Sequence, residues 1–303
     1  MEIKMENTKE VMSRVEFIKD YRDNEKLRGS FNTLAAETFG IDFELWYKKG
    51  FWNDSYICYS YALEERIIAN VSVNRLKLRW DGKYYNALQI GTVMTAPEYQ
   101  KQGLSYKLLD TVMKEWENKV DFIYLFGNDQ ALNLYKKFDM KEFDEHRFFT
   151  VLPDHKENDE IRKLDLSEEK DLKLMVEMTN NRIAQSEAIG IEDDSHLIMF
   201  YCHKWFAEKL YYVESKNAIL VMEEQEEILQ IYEVISNEVQ EMEELLPLIS
   251  TKEAVKVEFH FKPRACSLPL EETIFVKNDQ TLLIRHLGME PKETFRFSAF
   301  SHA

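Results

Sequence analysis

The residues best suited to chemistry lie in one stretch, Val93 to Ser105, where an apolar segment gives way to a helical pattern. Leu88 to Val93 predicts a buried strand that Pro97 ends, and apolar residues then recur at helical spacing from about residue 104 to 117. The first turn of a helix leaves N–H groups without partners and carries partial positive charge, so it attracts anions. Gly103 lies at the junction and allows close backbone approach, so the stretch predicts a phosphate-binding loop.

The loop sequence Gln100-x-x-Gly103-x-Ser105 follows Val93-x-x-x-Pro97 and resembles the acyl-CoA signature of the GNAT superfamily of N-acetyltransferases. That signature has Arg or Gln, two residues, Gly, one residue, and then Gly or Ala. Ser105 departs from it mildly, because serine is still small but leaves less room beside a diphosphate.

A second segment strengthens the resemblance. Asp121 to Phe126 predicts a short strand, Gly127-Asn128-Asp129 a turn, Gln130 to Met140 a helix and Glu142 to Phe149 another strand. Four residues match the family's second motif, whereas Asp139-Met140 stands where Gly-Phe is usual. The matching residues are Asn128, Ala131, Leu134 and Tyr135.

The upstream order also fits this family, so the resemblance covers roughly residues 14 to 150. Asp81-Gly82 is a hairpin signal after the third strand. The predicted strands are Val15 to Lys19, Tyr56 to Ala62 and Ile67 to Leu78, and the predicted helices are Ser30 to Thr38 and Phe43 to Lys49.

The resemblance implies direct transfer of an acetyl group from acetyl-CoA to an amine, with no covalent intermediate and no metal. It implies that an N–H near Met94 polarises the thioester and that Tyr135 is the acid that protonates the departing thiolate. The residues implied to bind coenzyme A are Val93, Met94, Thr95, Gln100, Lys101, Gln102, Gly103, Leu104, Ser105, Tyr106 and Asn128.

The acceptor site and the general base are less defined by the sequence. An aromatic cluster around Trp52 and Tyr56, with Asp54 inside it, is either the lining of an amine-binding pocket or part of the core. Many relatives carry a carboxylate on the strand before the loop, but Ala87 to Val93 has only Gln89 and Thr92 as polar side chains. The general base is then either a water relay or a distant carboxylate. One such carboxylate is that of Ala303, by analogy with the enhanced intracellular survival acetyltransferases.

The polar segment Pro153 to Glu160 predicts a linker, and residues 161–303 repeat the order of a GNAT domain. The loop Ser236-Asn237 lacks glycine and precedes an acidic helix start, so this copy is expected not to bind coenzyme A. The predicted helices are Ser167 to Asn181, Asp194 to Phe206, Glu238 to Ile249 and Gln280 to Leu287, and the predicted strands are Asn217 to Met222, Ile228 to Ile235, Val255 to Phe261 and Glu293 to Phe300.

The predicted fold class is α/β (α+β), with two GNAT-like domains that each have a mixed, mostly antiparallel central sheet flanked by helices. Residues 1–152 are the predicted catalytic domain and residues 161–303 the degenerate copy. Tandem GNAT architecture with one degenerate copy is a feature of the mycothiol synthases, which the order of elements resembles.

Composition limits the choice of partners. The chain of 303 residues has a formal net charge of −16, most of it in the second half, which disfavours nucleic acid and anionic membranes. Cys58, Cys202 and Cys266 form no metal or redox pair, residues 1–12 contain no signal-peptide pattern, and no segment approaches a membrane span. We therefore expect a cytoplasmic protein.

The sequence thus predicts an N-acetyltransferase that acts on a small-molecule amine. Two alternatives remain: a non-catalytic acyl-CoA-binding sensor or interaction module, and an acetyltransferase for protein lysines or N-termini. The second half is expected to shape the acceptor cleft or to form a homodimer surface.

Overall fold

The computed structural model describes residues 13–154, 161–251, 253–276, 279–286 and 292–302. The predicted loose end at residues 1–12, most of the predicted linker and Ala303 lie outside the described residues. The strands are β1 (Glu16–Lys19), β2 (Tyr56–Leu63), β3 (Arg66–Trp80), β4 (Lys83–Thr95), β5 (Phe122–Gly127), β6 (Lys141–Phe143), β7 (Glu145–Val151), β8 (Ile161–Lys163), β9 (Ile189–Glu192), β10 (Leu210–Val213), β11 (Ala218–Gln225), β12 (Ile228–Ile235), β13 (Lys256–Phe259), β14 (Glu271–Phe275) and β15 (Thr281–His286). The helices are α1 (Glu25–Phe39), α2 (Glu44–Lys48), α3 (Leu104–Trp116), α4 (Leu132–Tyr135), α5 (Glu169–Asn180), α6 (Ser195–Lys204) and α7 (Met242–Ile249).

The first sheet has the strand order β1-β2-β3-β4-β5-β15-β6, and β9 pairs with the far end of β3. Among the described strands of this sheet, only β4 and β5 pair in parallel, and α3 connects them. A parallel pair needs such a crossover because its strands run in the same direction. The phosphate-loop candidate therefore lies at the carboxyl end of β4, where the chain turns into α3.

The second sheet repeats this layout with the order β8-β10-β11-β12-β13-β7-β14. Its parallel pair is β12 and β13, connected by α7. The two sheets are mostly antiparallel and mixed with helices, which confirms the predicted fold class.

The two sheets exchange strands with each other. β15, from the end of the chain, lies between β5 and β6 in the first sheet, and β7, from the first half, lies between β13 and β14 in the second. Each exchanged strand occupies the position next to the second strand of a parallel pair. A division at residues 152–161 stays a prediction, and the strand pairing crosses it in both directions.

The first sheet has two covered faces. The face called here the α3 face packs against Leu108, Val112 and Trp116 of α3. The opposite face, called the α6 face, is covered by α1, α2 and α6 through residues such as Phe31, Trp46 and Phe200. Helix α6 belongs to the second half of the sequence, so that half closes one face of the first sheet.

Two of the predicted elements near the C-terminus are wrong. Gln280 to Leu287 was predicted as a helix, but its described part is strand β15, in which Leu282, Leu283 and Ile284 are all buried. A strand covered on both faces loses the alternation that marks a strand in sequence. Glu293 to Phe300 was predicted as a strand, but its described residues join no ladder, and a 3-10 turn begins at Ala299.

The short strands β8, β9, β10 and β14 were not predicted. Each has only three to five residues. Within the described part of the chain, no helix is long and apolar enough to cross a membrane.

Candidate active site

The loop before α3 has the geometry of an anion site. Gly103 is the N-cap of α3 with φ +75°, in the left-handed region that favours glycine, and a Cβ at this position would meet nothing within 4 Å. In the described part of the chain, no backbone or side-chain acceptor takes a hydrogen bond from the N–H groups of residues 102–106. Five consecutive donors at a helix start therefore have no partner among the described residues, which suits a phosphate.

The side chains of the loop are held by the end of β4. The hydroxyl oxygens of Ser105 and Thr95 lie 2.7 Å apart in a hydrogen bond, and Nε2 of Gln100 donates to the carbonyl of Thr95 over 3.2 Å. Ser105 thus turns toward the strand, away from the position that a diphosphate would take at the helix axis. Gln102 is buried, and its Oε1 has no hydrogen-bond partner among the described residues.

Strand β4 bulges and then separates from β5. Asn70 pairs with Met94 and Ser72 with Gly91, so β4 holds one extra residue opposite β3, and Thr92 has φ +50°. The pairing of β4 with β5 ends at Gln89. Beyond that point the two parallel strands form no further pairs, and this unpaired stretch, called here the gap, has Val93 to Thr95 on its β4 side.

Tyr135 ends α4 on the α3 face, next to the end of β5. A Cβ on Gly127 would lie only 3.0 Å from Cε2 of Tyr135, so the glycine allows the ring to pack against the strand. Burial raises the pKa of the Tyr135 hydroxyl to about 12, which keeps it protonated and able to donate at neutral pH. Oδ1 of Asn128 accepts from the N–H of Ala131 over 3.0 Å and fixes the turn that precedes the tyrosine.

The predicted acceptor residues lie on the other side of the sheet, and the structure brings two of the three together. Trp52 and Tyr56 are buried with ring centroids 5.3 Å apart in the aromatic core beneath α1 and α2. Asp54 is 79% exposed and forms an ion pair with Arg22. The two aromatic residues therefore pack as core, while the carboxylate points to solvent.

The hydroxyl of Tyr56 nonetheless reaches the bulge. It shares a hydrogen bond of 2.9 Å with Oγ1 of Thr92, in a row of buried polar groups along the α6 face. In the same row Nδ2 of Asn74 donates to Oε1 of Gln89 over 2.9 Å, and Nε2 of His196 lies 3.0 Å from Oδ1 of Asn74. His196 comes from α6, and a contact over 122 residues leaves no local signal in the sequence.

The C-terminal segment lies across the same face. The ring of Phe297 stacks on Tyr124 at a centroid distance of 4.7 Å, and the carbonyl of Ser301 accepts from Nε2 of Gln89. The ring of His302 stacks on Phe126 at 3.7 Å, with 12° between the planes. Glu293 to Phe300 in this segment was predicted as a strand, and a place near the reacting groups was raised only as an option, for the carboxylate of Ala303.

The corresponding place in the second half differs in its chemistry. The N–H of Met242, the first residue of α7, donates to the carbonyl of Ala265, and the N–H of Gln240 donates to Oε1 of Gln185. Glu243 adds negative charge in the first turn and accepts from the N–H of Ser267. Because these backbone N–H groups already have acceptors and a carboxylate lies nearby, a phosphate is disfavoured at this helix start.

Comparisons with known proteins agree with this geometry. The family model for the acetyltransferase (GNAT) domain matches residues 22–142. A GCN5-related N-acetyltransferase from Anabaena variabilis is similar in structure with a TM-score of 0.57 at 15% identity, over 90% of this chain and 73% of that chain. A GCN5-related N-acetyltransferase from Kribbella flavida gives a TM-score of 0.53 at 14% identity, over 90% of this chain and 72% of that one.

Eis1 from Mycobacterium abscessus gives a TM-score of 0.55 at 8% identity, over 88% of this chain and 73% of that chain. At these identities the likenesses show the fold alone. No curated protein matches the sequence.

Proposed function

Since the chain contains a GNAT acetyltransferase domain at residues 22–142 and is thereby an acyltransferase, we propose that it transfers an acetyl group from acetyl-CoA to the amine of a small molecule. The observation that carries this proposal is the row of five unpartnered N–H groups at residues 102–106, next to the gap between β4 and β5. The diphosphate would occupy the row, and the pantetheine arm would pair with Val93 to Thr95 in the gap. The thioester would then lie near the bulge at Thr92.

The residues at the gap supply what direct acyl transfer requires. A backbone N–H of β4 near Met94 would polarise the thioester oxygen, and the protonated hydroxyl of Tyr135 would protonate the leaving thiolate. Binding both substrates side by side replaces a bimolecular encounter with an intramolecular step. A covalent enzyme intermediate is not needed.

A small acceptor is supported by what covers the α6 face. Helix α6 and the segment that ends at His302 both lie over it, and Phe200 packs into the aromatic core there. A covered face leaves room for a small amine more readily than for a protein chain. The resemblance of the two sheets in strand order further supports a tandem architecture, in which the second half has lost the coenzyme site and shapes the acceptor side.

The proposal is tested by incubating the full chain with acetyl-CoA and a panel of amines, with thiol release followed by a colorimetric reagent and the acetylated product identified by mass spectrometry. The panel contains 2-phenylethylamine, spermidine and a lysine-containing peptide. Acetylation of a small amine supports the proposal. Acetylation of the peptide alone would favour a protein acetyltransferase, and acetyl-CoA binding without any product would favour a non-catalytic module.

A further inference from the structure

We propose that the imidazole of His302 is the general base that takes the proton from the ammonium group of the acceptor. This inference rests on the proposed function and supplies the group that strand β4 lacks, because β4 carries no carboxylate between Ala87 and Val93. The position of the ring, its anchoring and its chemistry each support the role.

His302 and Tyr135 flank the end of β5 from opposite faces of the sheet. The imidazole stacks on Phe126 at 3.7 Å on the α6 face, and the ring of Tyr135 packs against the next residue, Gly127, on the α3 face. The gap between β4 and β5 lies beside this point. A thioester held in the gap therefore has the acid on the coenzyme side and the imidazole on the side from which an amine would arrive.

A row of hydrogen bonds holds the segment in place. Nε2 of Gln89 donates to the carbonyl of Ser301, directly before His302, and Oε1 of Gln89 accepts from Asn74 over 2.9 Å. Asn74 in turn bonds to His196 of α6. Gln89 is thus a positioning residue, since it fixes the backbone that carries the imidazole at the mouth of the gap.

The other titratable groups near the gap on the α6 face are less suited to this role. The hydroxyls of Tyr56 and Tyr124 are buried, which raises the pKa of each well above its usual value. His196 is 2% exposed, and its Nε2 is held by Asn74. His302 is half-buried and thus less enclosed than these groups.

The proton balance is complete with these two groups. His302 accepts one proton from the ammonium and passes it to solvent, which frees the lone pair that attacks the thioester carbon. When the tetrahedral intermediate collapses, the C–S bond breaks and Tyr135 protonates the thiolate. The second proton lost from the nitrogen restores Tyr135 through water, so the net products are the amide, free coenzyme A and one proton.

The test compares two acceptors that differ in their need for a base. At neutral pH 2-phenylethylamine is an ammonium ion, whereas methoxyamine is a neutral amine. In His302→Gln we expect kcat/KM for 2-phenylethylamine to fall on the order of 10²-fold. Turnover of methoxyamine should fall by no more than about threefold, and the Kd for acetyl-CoA should not change, because neither depends on removing that first proton.

Two further variants separate this role from a structural one. Gln89→Leu should lower turnover of 2-phenylethylamine in the same direction through the loss of anchoring. His203→Gln changes a histidine of α6 that lies outside the gap and should leave both acceptors unaffected. The assignment of His302 as the base is overturned if His302→Gln turns over 2-phenylethylamine at the wild-type rate, or if it loses the same fraction of activity with both acceptors. Either result leaves the proposed function standing. A wild-type chain that acetylates no amine overturns the proposed function as well.

Discussion

Asp139 shows how a departure from a family motif can keep the same backbone. It stands where the motif has glycine, and it adopts φ +59° after the turn that follows α4. Aspartate is among the residues that tolerate the left-handed region best. Met140, in the place of the usual phenylalanine, is buried in the core beneath α3. The two substitutions therefore preserve the turn and the packing that hold Tyr135.

Tyr135→Phe removes the proposed acid and keeps the ring that packs against Gly127. We expect kcat to fall on the order of 10²-fold with the Kd for acetyl-CoA nearly unchanged. Because the pKa of the Tyr135 hydroxyl is about 12, wild-type turnover should show no loss from this group as pH rises from neutral to about 10. Thiol release against pH measures both effects.

The control is Tyr84→Phe, which alters a tyrosine that is 52% exposed near the hairpin between β3 and β4. It should leave kcat unchanged. If Tyr135→Phe also turns over at the wild-type rate, the hydroxyl has no role in protonating the thiolate.

At the scale of elements, α6 is a helix of the second half that packs on one face of the first sheet. Nε1 of Trp46 donates to the carbonyl of His196 over 2.7 Å, and the ring of Phe43 stacks on that of Phe200 at 4.9 Å. Burial lowers the pKa of His196 to about 4, so the imidazole is neutral in the folded protein near pH 7. The packing of α6 should accordingly weaken in acid.

His196 binds fewer protons in the folded state than in the unfolded state between pH 6.5 and about 4, so the free energy of unfolding should fall as pH is lowered through this range. Its contribution at pH 5 relative to pH 7.5 is a loss of roughly 2 kcal/mol. Urea denaturation of the wild type and of His196→Gln at both pH values measures it.

The substitution is expected to reduce this pH dependence while lowering stability at neutral pH. His203→Gln tests the other imidazole of α6, whose pKa burial also lowers to about 4, so this substitution should reduce the slope as well. An identical acid-induced loss in the wild type and in His196→Gln would show that the buried imidazole does not control the packing of α6.

Local pattern was enough to predict the elements around the phosphate loop, because α3 has a clear helical stripe and Gly103 and Tyr135 lie in short motifs. It was not enough for β15, whose state depends on β5 and β6, more than 130 residues earlier in the chain. The contacts on the α6 face were missed for the same reason. His196, Phe297 and His302 reach the gap through contacts that no window of the sequence contains.

On the scale of the whole molecule, the exchange of β7 and β15 ties the two halves together. Without β15, β5 would lack its antiparallel neighbour and β6 its partner, and without the second half β7 would have no partner. Unpaired strands leave buried backbone groups unsatisfied and expose edges that aggregate. Each half therefore depends on the other for a complete sheet.

We expect residues 1–154 expressed alone to show no cooperative unfolding transition and to aggregate, whereas the full chain unfolds cooperatively. Circular dichroism during urea denaturation compares the two. Coexpression of residues 1–154 with residues 155–303 as separate chains is expected to restore a folded complex. A soluble fragment of residues 1–154 that unfolds at the wild-type midpoint would show that the exchanged strand is dispensable.

The most direct test of the account is calorimetric titration of the full chain with acetyl-CoA, beside Gly103→Glu and Gly82→Glu. Both glycines lie at positive φ, +75° and +76°, with open space around them, so both substitutions strain the backbone similarly. Only Gly103→Glu places a carboxylate at the start of α3. The account predicts micromolar binding to the wild type and to Gly82→Glu, and its loss in Gly103→Glu. Equal binding by all three chains, or none to the wild type, would contradict it.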